Sequence, residues 1–306
     1  MLFLRSLSGV EEQGAEDWLA LSKRAHALYQ QGNYDAASSL FSESLTKREE
    51  AFGKIHPRVA MGLNNLAAVY QAQGDYKKAE PLLLRALSIM ENSLDPGDPS
   101  VASSLNNLAL NYQKQGKLSE AKALYERSMQ IVETSFQTKG IDLIPVLTNL
   151  GTYYKEAGQL IEAEAFLVRA LAISETSLES DDLRLSNQLN NLGEAYRLTG
   201  KYEAAEIMFQ RSLEILEEHS GLHHPNVAAV YNNLGLLYSD QGDLTKAESI
   251  LERSLELCEQ SLGSDHPNVF QGLLNLAELY RKMDRPKEAE QFEKRAAQIR
   301  EKAASE

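Results

Sequence analysis

Residues 57–94 read PRVAMGLNNLAAVYQAQGDYKKAEPLLLRALSIMENSL. In the first half, Val59, Leu63, Leu66, Ala67 and Tyr70 recur at helical spacing and form one apolar stripe. Pro57 suits the first position of that helix, where a missing N–H costs nothing, and Gly74 suits the left-handed residue just beyond its end. In the second half, Tyr76, Ala79, Leu82, Leu83, Ala86, Leu87, Met90 and Leu94 again fall at spacings of three and four, over a longer helix. The connection is so short that the two helices must lie antiparallel, with small Ala79 and Ala86 permitting close approach. The stretch predicts a helical hairpin.

The hairpin repeats along the chain. Gly74, Gly116, Gly158, Gly200 and Gly242 stand 42 residues apart, with Gly32 one period earlier and Asp284 one period later. Tyr70, Tyr112, Tyr154, Tyr196, Tyr238 and Tyr280 share the spacing, as do Ala37, Ala79, Ala121, Ala163, Ala205, Ala247 and Ala289. A single hairpin cannot cover both faces of its helices, so the units are expected to stack into an all-α solenoid of about seven hairpins. Cys258 continues the apolar column of Met90, Val132 and Leu216 and reads as an inert core thiol. Glu293 and Ala297 replace bulky residues of the earlier units, as suits a terminal helix with no following neighbour. Residues 1–16 lie outside the period and are expected to be an N-terminal extension that caps the first hairpin, ahead of one solenoid over residues 17–306. The fourth unit begins Ile141-Asp142-Leu143-Ile144-Pro145, so its first helix is expected to be shifted or shortened by Pro145.

Composition narrows the function classes. The chain has 306 residues, with 31 Lys+Arg against 44 Asp+Glu and a net charge of −13, which opposes binding to phosphate backbones or anionic lipid. Neither nucleic acid nor membrane is an expected partner. The single Cys258 excludes an intramolecular disulfide framework and favours a reducing compartment. The start, Met1-Leu2-Phe3-Leu4-Arg5-Ser6-Leu7, lacks a signal-peptide core and no stretch is long enough to span a bilayer, so a cytoplasmic location is expected. No serine elbow, phosphate-binding glycine loop or His-Glu-x-x-His motif occurs, and the glycines serve turns, so the chain reads as a non-enzyme with no cofactor. His219, His223 and His224 form one histidine cluster, but Gly221 interrupts it and His224-Pro225 repeats the loop His56-Pro57, so no metal is expected.

The columns resemble the tetratricopeptide repeat, with Leu63, Ala67, Tyr70, Ala79, Leu83 and Ala86 where that family places packing residues. Leu-Asn-Asn-Leu-Ala at 105–109, Gln-Gly-Lys at 115–117, Glu-Ala at 120–121 and Asp-His-Pro at 265–267 resemble the kinesin light chain version with its longer period. The resemblance covers about residues 17–300 and implies a right-handed α-solenoid that binds another protein or peptide. Because 16 residues precede the repeats, a stand-alone relative is expected instead of a motor subunit.

In that fold the arc of the first helix opposite its apolar stripe lines a concave groove. Asn65, Asn107, Asn149, Asn191, Asn233 and Asn275 share one position of this arc, and Asn64, Asn106, Asn190 and Asn232 share its neighbour. A side-chain amide carries two donors and an acceptor, the complement of a peptide backbone, so such a ladder suits an extended chain of any sequence. The same amides could instead bond the backbone of the neighbouring repeat and hold the stack. Lys114, Lys155, Arg197 and Arg281 lie on the same arc, and the adjacent Lys155 and Arg197 suggest a partly acidic peptide. Local pairing of these cations, such as Arg197 with Glu194, is the alternative. A second functional class is self-association through the apolar edge Leu2, Phe3, Leu4 and Leu7.

Overall fold

The computed structural model describes residues 11–135, 140–180, 182–221, 225–264 and 266–305. Among these residues it contains fourteen α-helices and no strand. The first helices of successive hairpins are α1 (Glu11–Gln30), α3 (Pro57–Ala72), α5 (Pro99–Lys114), α7 (Leu143–Glu156), α9 (Leu183–Leu198), α11 (Pro225–Gln241) and α13 (Pro267–Lys282). The second helices are α2 (Tyr34–Phe52), α4 (Tyr76–Ser93), α6 (Leu118–Thr134), α8 (Leu160–Ser177), α10 (Tyr202–Ser220), α12 (Leu244–Leu262) and α14 (Pro286–Ser305). The expected all-α succession of hairpins is therefore present. The chain forms two compact units, Met1–Tyr153 and Tyr154–Glu306. In the first, α1 packs on α2, α3 on α4 and α5 on α6, and α2 and α4 each touch the helix that follows. In the second, α9 pairs with α10, α11 with α12 and α13 with α14, and each pair touches the next.

The turns show why the glycines recur. Gly74 has φ of 77° and Gly200 of 75°, and at the last turn Asp284 takes φ of 58°, a conformation that a short polar side chain tolerates better than most. The N–H that follows reaches back to the carbonyl of the tyrosine five residues earlier, Asp75 to Tyr70 at 2.8 Å and Arg285 to Tyr280 at 2.9 Å, capping the helix. Helix starts follow the sequence as well. Pro57 and Pro99 open α3 and α5, and the His56 ring and the Asp98 carboxylate accept the backbone N–H of Arg58 and Ser100. In the fourth unit α7 has 14 residues against 16 for α3, and a 3-10 turn at Gly140–Asp142 replaces its missing start. Pro145 is the third residue of this shortened helix, where its absent N–H would have had no intrahelical partner. At the N-terminus α1 begins at Glu11, so residues 11–16 extend the first helix, while Leu2, Phe3, Leu4 and Leu7 lie outside the described residues.

In two hairpins of the second unit a glycine on the first helix faces a large residue on the second. At Gly193 an added Cβ would lie 2.7 Å from the Phe209 ring, and at Gly235 it would lie 2.5 Å from Leu251. Phe209 and Leu251 are both buried, so neither side chain has an open direction in which to yield. A second clamp is a buried serine. Ser44, Ser128, Ser212 and Ser254 each donate a hydrogen bond from the second helix to a carbonyl of the first, at 2.8, 2.7, 2.9 and 2.7 Å.

One core position is exceptional. Arg48 stands where later units have Met90, Val132 and Leu216, yet it is 3% exposed. Its guanidinium lies over the Trp18 ring at 4.0 Å and donates to the Arg58 carbonyl at 2.8 Å and to Ser22 at 3.0 Å. Burial, with Arg58 nearby, pushes its pKa down to about 10. Gly62 makes room for this side chain, since a Cβ there would meet Arg48 Cδ at 3.1 Å.

Gly193→Ala and Gly235→Ala are each expected to lower stability by about 1–2 kcal/mol, because overpacking outweighs the gain in helix propensity. Urea unfolding of the two variants measures this, and unchanged or raised stability would show that the helices can separate freely.

Candidate functional site

The asparagine columns sit on the first helices, and three pairs of them bond across neighbouring repeats. In the first unit Asn149 on α7 donates to Asn106 on α5 at 3.1 Å. In the second unit Asn233 on α11 donates to Asn190 on α9 at 2.9 Å, and Asn275 on α13 donates to Asn232 on α11 at 2.7 Å. Each rung joins the two columns of successive repeats, 43 residues apart. The amides therefore hold the stack, as the alternative in the sequence allowed, but they pair side chain to side chain and not with backbone. Each rung uses one N–H and one oxygen. Asn190 and Asn232 accept in their rungs, so both N–H groups of each keep no partner among the described residues, nor does the oxygen of Asn233, and all three side chains are half-buried.

Asn65, Asn107 and Asn191 stand outside the rungs. None has a side-chain hydrogen bond among the described residues, and each is half-buried. Asn64, the counterpart of Asn106 one repeat earlier, has a buried Oδ1 with no partner. In the first unit this opening rung is unmade.

Three of the four cations are paired with carboxylates. Lys155 is paired with Glu194 at 2.5 Å, and its side chain is only 14% exposed. Arg197 is paired with Asp240 and is 13% exposed, and Arg281 holds Glu293 through two hydrogen bonds at 2.9 and 2.8 Å. That bidentate pair raises the pKa of Arg281 and holds the Glu293 carboxyl below the usual range. In this column Gln113, 4% exposed, accepts the Tyr125 hydroxyl at 2.8 Å and Arg281 pairs with Glu293 within their own hairpins, whereas Lys155 and Arg197 reach Glu194 on α9 and Asp240 on α11 in the next repeat. Lys114 at the end of α5 and Arg281 are the exposed members of the four cations, and Lys114 too has an interaction. Bare cations for an acidic ligand are not present at Lys155, Arg197 or Arg281.

The repeat pattern is also recognised by comparison. The tetratricopeptide repeat model matches residues 19–92, 58–134, 142–218 and 226–302. The chain belongs to the tetratricopeptide repeat family. No curated protein matches it. Among solved structures this tetratricopeptide repeat chain is similar to BtubC (BKLC) from P. vanneervenii, at 22% identity over 81% of this chain and 93% of that one, with a TM-score of 0.56. It is similar to a putative kinesin light chain with nearly identical TPR-like repeats from Podosopora anserina, at 24% identity over 68% and 98% of the two chains, with a TM-score of 0.55. A Rap protein complexed with Competence and Sporulation Factor shares 18% identity over 96% of this chain and 78% of its own, with a TM-score of 0.76. At these identities the likeness is one of fold.

Several polar residues of the tetratricopeptide repeats carry more than sequence reading assigned to them. Asn111, 0% exposed, occupies a column that is otherwise apolar at Val69, Ala195 and Leu237. It accepts from Gln71 at 3.2 Å and donates to the Tyr76 carbonyl at 3.1 Å, tying α5 to the turn of the preceding hairpin. Its departure from an apolar column was the available signal. His223 and His224 lie outside the described residues, and among the described residues no cluster of metal-ligating side chains occurs. No described helix is long and apolar enough to cross a membrane.

The rungs separate the asparagines by energy. Asn233→Leu, which leaves the Asn190 oxygen without its donor, is expected to cost about 1 kcal/mol, whereas Asn107→Leu is expected to cost less than about 0.5 kcal/mol. Denaturant unfolding compares the two, and equal costs would mean that the rungs do not hold the stack.

Proposed function

We propose that this protein is a non-catalytic receptor that holds an extended peptide, or an extended segment of a partner protein, against its first helices. The observation that carries the reading is the unused half of the amide ladder. The free N–H groups of Asn190 and Asn232, the free oxygen of Asn233 and the unbonded amide of Asn191 offer donors and acceptors on successive helices of the second unit. A peptide backbone presents alternating N–H and C=O groups along its length, so a donor–acceptor series at repeat spacing suits it whatever its side chains. The first unit offers Asn65 and Asn107 in the same way. Rungs and ligand contacts are compatible, since each amide has more valences than its rung uses.

The fold neighbours support a binding role in general, because a Rap protein of similar fold was crystallised with Competence and Sporulation Factor. A preference for acidic ligands loses its ground, since Lys155, Arg197 and Arg281 already hold carboxylates. The single, buried Cys258 supports placing the receptor in a reducing, cytoplasmic compartment. Self-association through Leu2, Phe3, Leu4 and Leu7 remains the second reading, and light scattering over a range of protein concentration addresses it.

The receptor reading is tested by selecting decapeptides from a random displayed library on the purified protein. Enriched peptides are expected to lose at least about fivefold in affinity on Asn191→Leu or on Asn107→Leu, with thermal stability unchanged. The reading falls if no peptide is enriched, or if both variants bind every enriched peptide as the parent does.

A further inference from the structure

The last two repeats contain a cavity of about 290 Å³ between α11, α12 and α13. Ala228, Leu255, Cys258 and Gly272 form its walls, and Asn232 and Asn233 stand at its rim. Two columns of the repeat explain why it exists here. Gly62 and Arg48 occupy the equivalent of Gly272 and Cys258 in the first two hairpins, and there the arginine side chain fills the room that the glycine leaves. In other repeats the same two positions hold Ser104 with Met90, or Val230 with Leu216, all buried. Volume removed from one column is thus supplied by the other. Gly272 and Cys258 are both small, and a Cβ built at Gly272 would meet only Leu255, at 3.5 Å.

We propose that this cavity is a side-chain pocket, taking one apolar residue of the bound peptide while the rim asparagines hold the backbone on either side of it. This deepens the receptor reading and rests on it. The volume of about 290 Å³ is room enough for one amino-acid side chain. Ala228, Ala229, Leu255, Cys258 and Gly272 give it an apolar side for an aliphatic or aromatic group, and the polar lining is Asn232, Asn233, Ser254 and Gln271. Ser254 at the margin already donates to the Ala228 carbonyl at 2.7 Å. The rim supplies free donors on Asn232 and one free acceptor on Asn233, the two kinds of group that a single peptide unit needs. Burial pushes the Cys258 thiol up from its ordinary pKa, with Glu259 adding to the effect, so this side chain acts as a wall and not as a nucleophile. It is the only cysteine in the chain, which makes its accessibility a clean report on the pocket.

The experiment is a mutant cycle between pocket and peptide. Gly272→Val fills the cavity with a residue that Val146 and Val230 already place at this position, and a control melt is expected to show stability equal to or above the parent. Peptides enriched on the parent from the random library are expected to share one apolar residue. Its replacement by serine is expected to weaken binding to the parent about tenfold or more, and to change binding to Gly272→Val by less than about twofold. Bound peptide is also expected to slow alkylation of Cys258 by N-ethylmaleimide. If the serine replacement costs the same on both proteins, or alkylation is unaffected by saturating peptide, the pocket assignment is wrong even where Asn191→Leu weakens binding and the receptor reading stands. If the parent enriches no peptide, both fall together.

Discussion

Close approach between the two helices of a hairpin is the constraint on which the other contacts depend. Gly193 against Phe209 and Gly235 against Leu251 leave no space for even one added carbon. Once that distance is set, the apolar stripes of both helices face one way and the next hairpin must cover them. The left-handed residues at Gly74, Gly200 and Asp284 follow from the same requirement, because only a tight reversal returns the chain close enough to interlock. Contacts between repeats then occur at fixed separations. Asparagine rungs form at 43 residues, as in Asn106 with Asn149 and Asn190 with Asn233.

Charge is distributed by the same register. Second helices of neighbouring repeats are joined by Glu49 with Arg85, Glu91 with Arg127 and Glu175 with Arg211, at 2.7, 2.6 and 2.9 Å. The turns add Glu80 with Lys117, Glu164 with Lys201 and Glu248 with Arg285, at 2.9, 2.6 and 2.6 Å. Several of those turn cations also cover the recurring tyrosine, as Lys117 covers Tyr112 at 4.8 Å and Arg285 covers Tyr280 at 4.4 Å. Half-exposed pairs of this kind contribute about 0.2–1 kcal/mol each, too little to drive folding. Their value lies in register, because a hairpin displaced along its neighbour would lose all of its pairs together. This explains why a chain of net charge −13 still places its cations so regularly.

The fold was legible because its constraints are carried by single columns. Gly74 and its equivalents, Pro57 and the tyrosine column each report one local event, a left-handed residue, a helix start or a capped carbonyl. The shortened α7 was legible for the same reason, from Pro145 alone. The candidate site was legible only in part, because its properties come from pairs of columns. Asn107 and Asn149 look identical in sequence, yet one is unbonded and the other closes a rung. Lys155 and Arg197 looked like groove cations until their carboxylate partners, 39 and 43 residues away, came into view. The serine clamps were hidden because Ser128 and Ser212 alternate with Ala86 and Ala170, so the column reads merely as small.

A receptor built from repeats faces a problem of uniformity, since a ladder that grips backbone at every step cannot choose its ligand or fix its register. Discrimination has to come from positions where the repeat departs from itself. Most departures here are neutralised within the fold: Arg48 is absorbed by Gly62, Asn111 by Gln71 and the Tyr76 carbonyl, Arg281 by Glu293. At Gly272 and Cys258 two small residues coincide and nothing of the chain fills the gap. The pocket of about 290 Å³ opens to solvent, so its apolar lining faces water instead of protein. A half-open pocket beside unused amide valences is therefore the departure that the chain itself does not fill, and a bound side chain would take its apolar lining out of water while setting which residue of a peptide stands there.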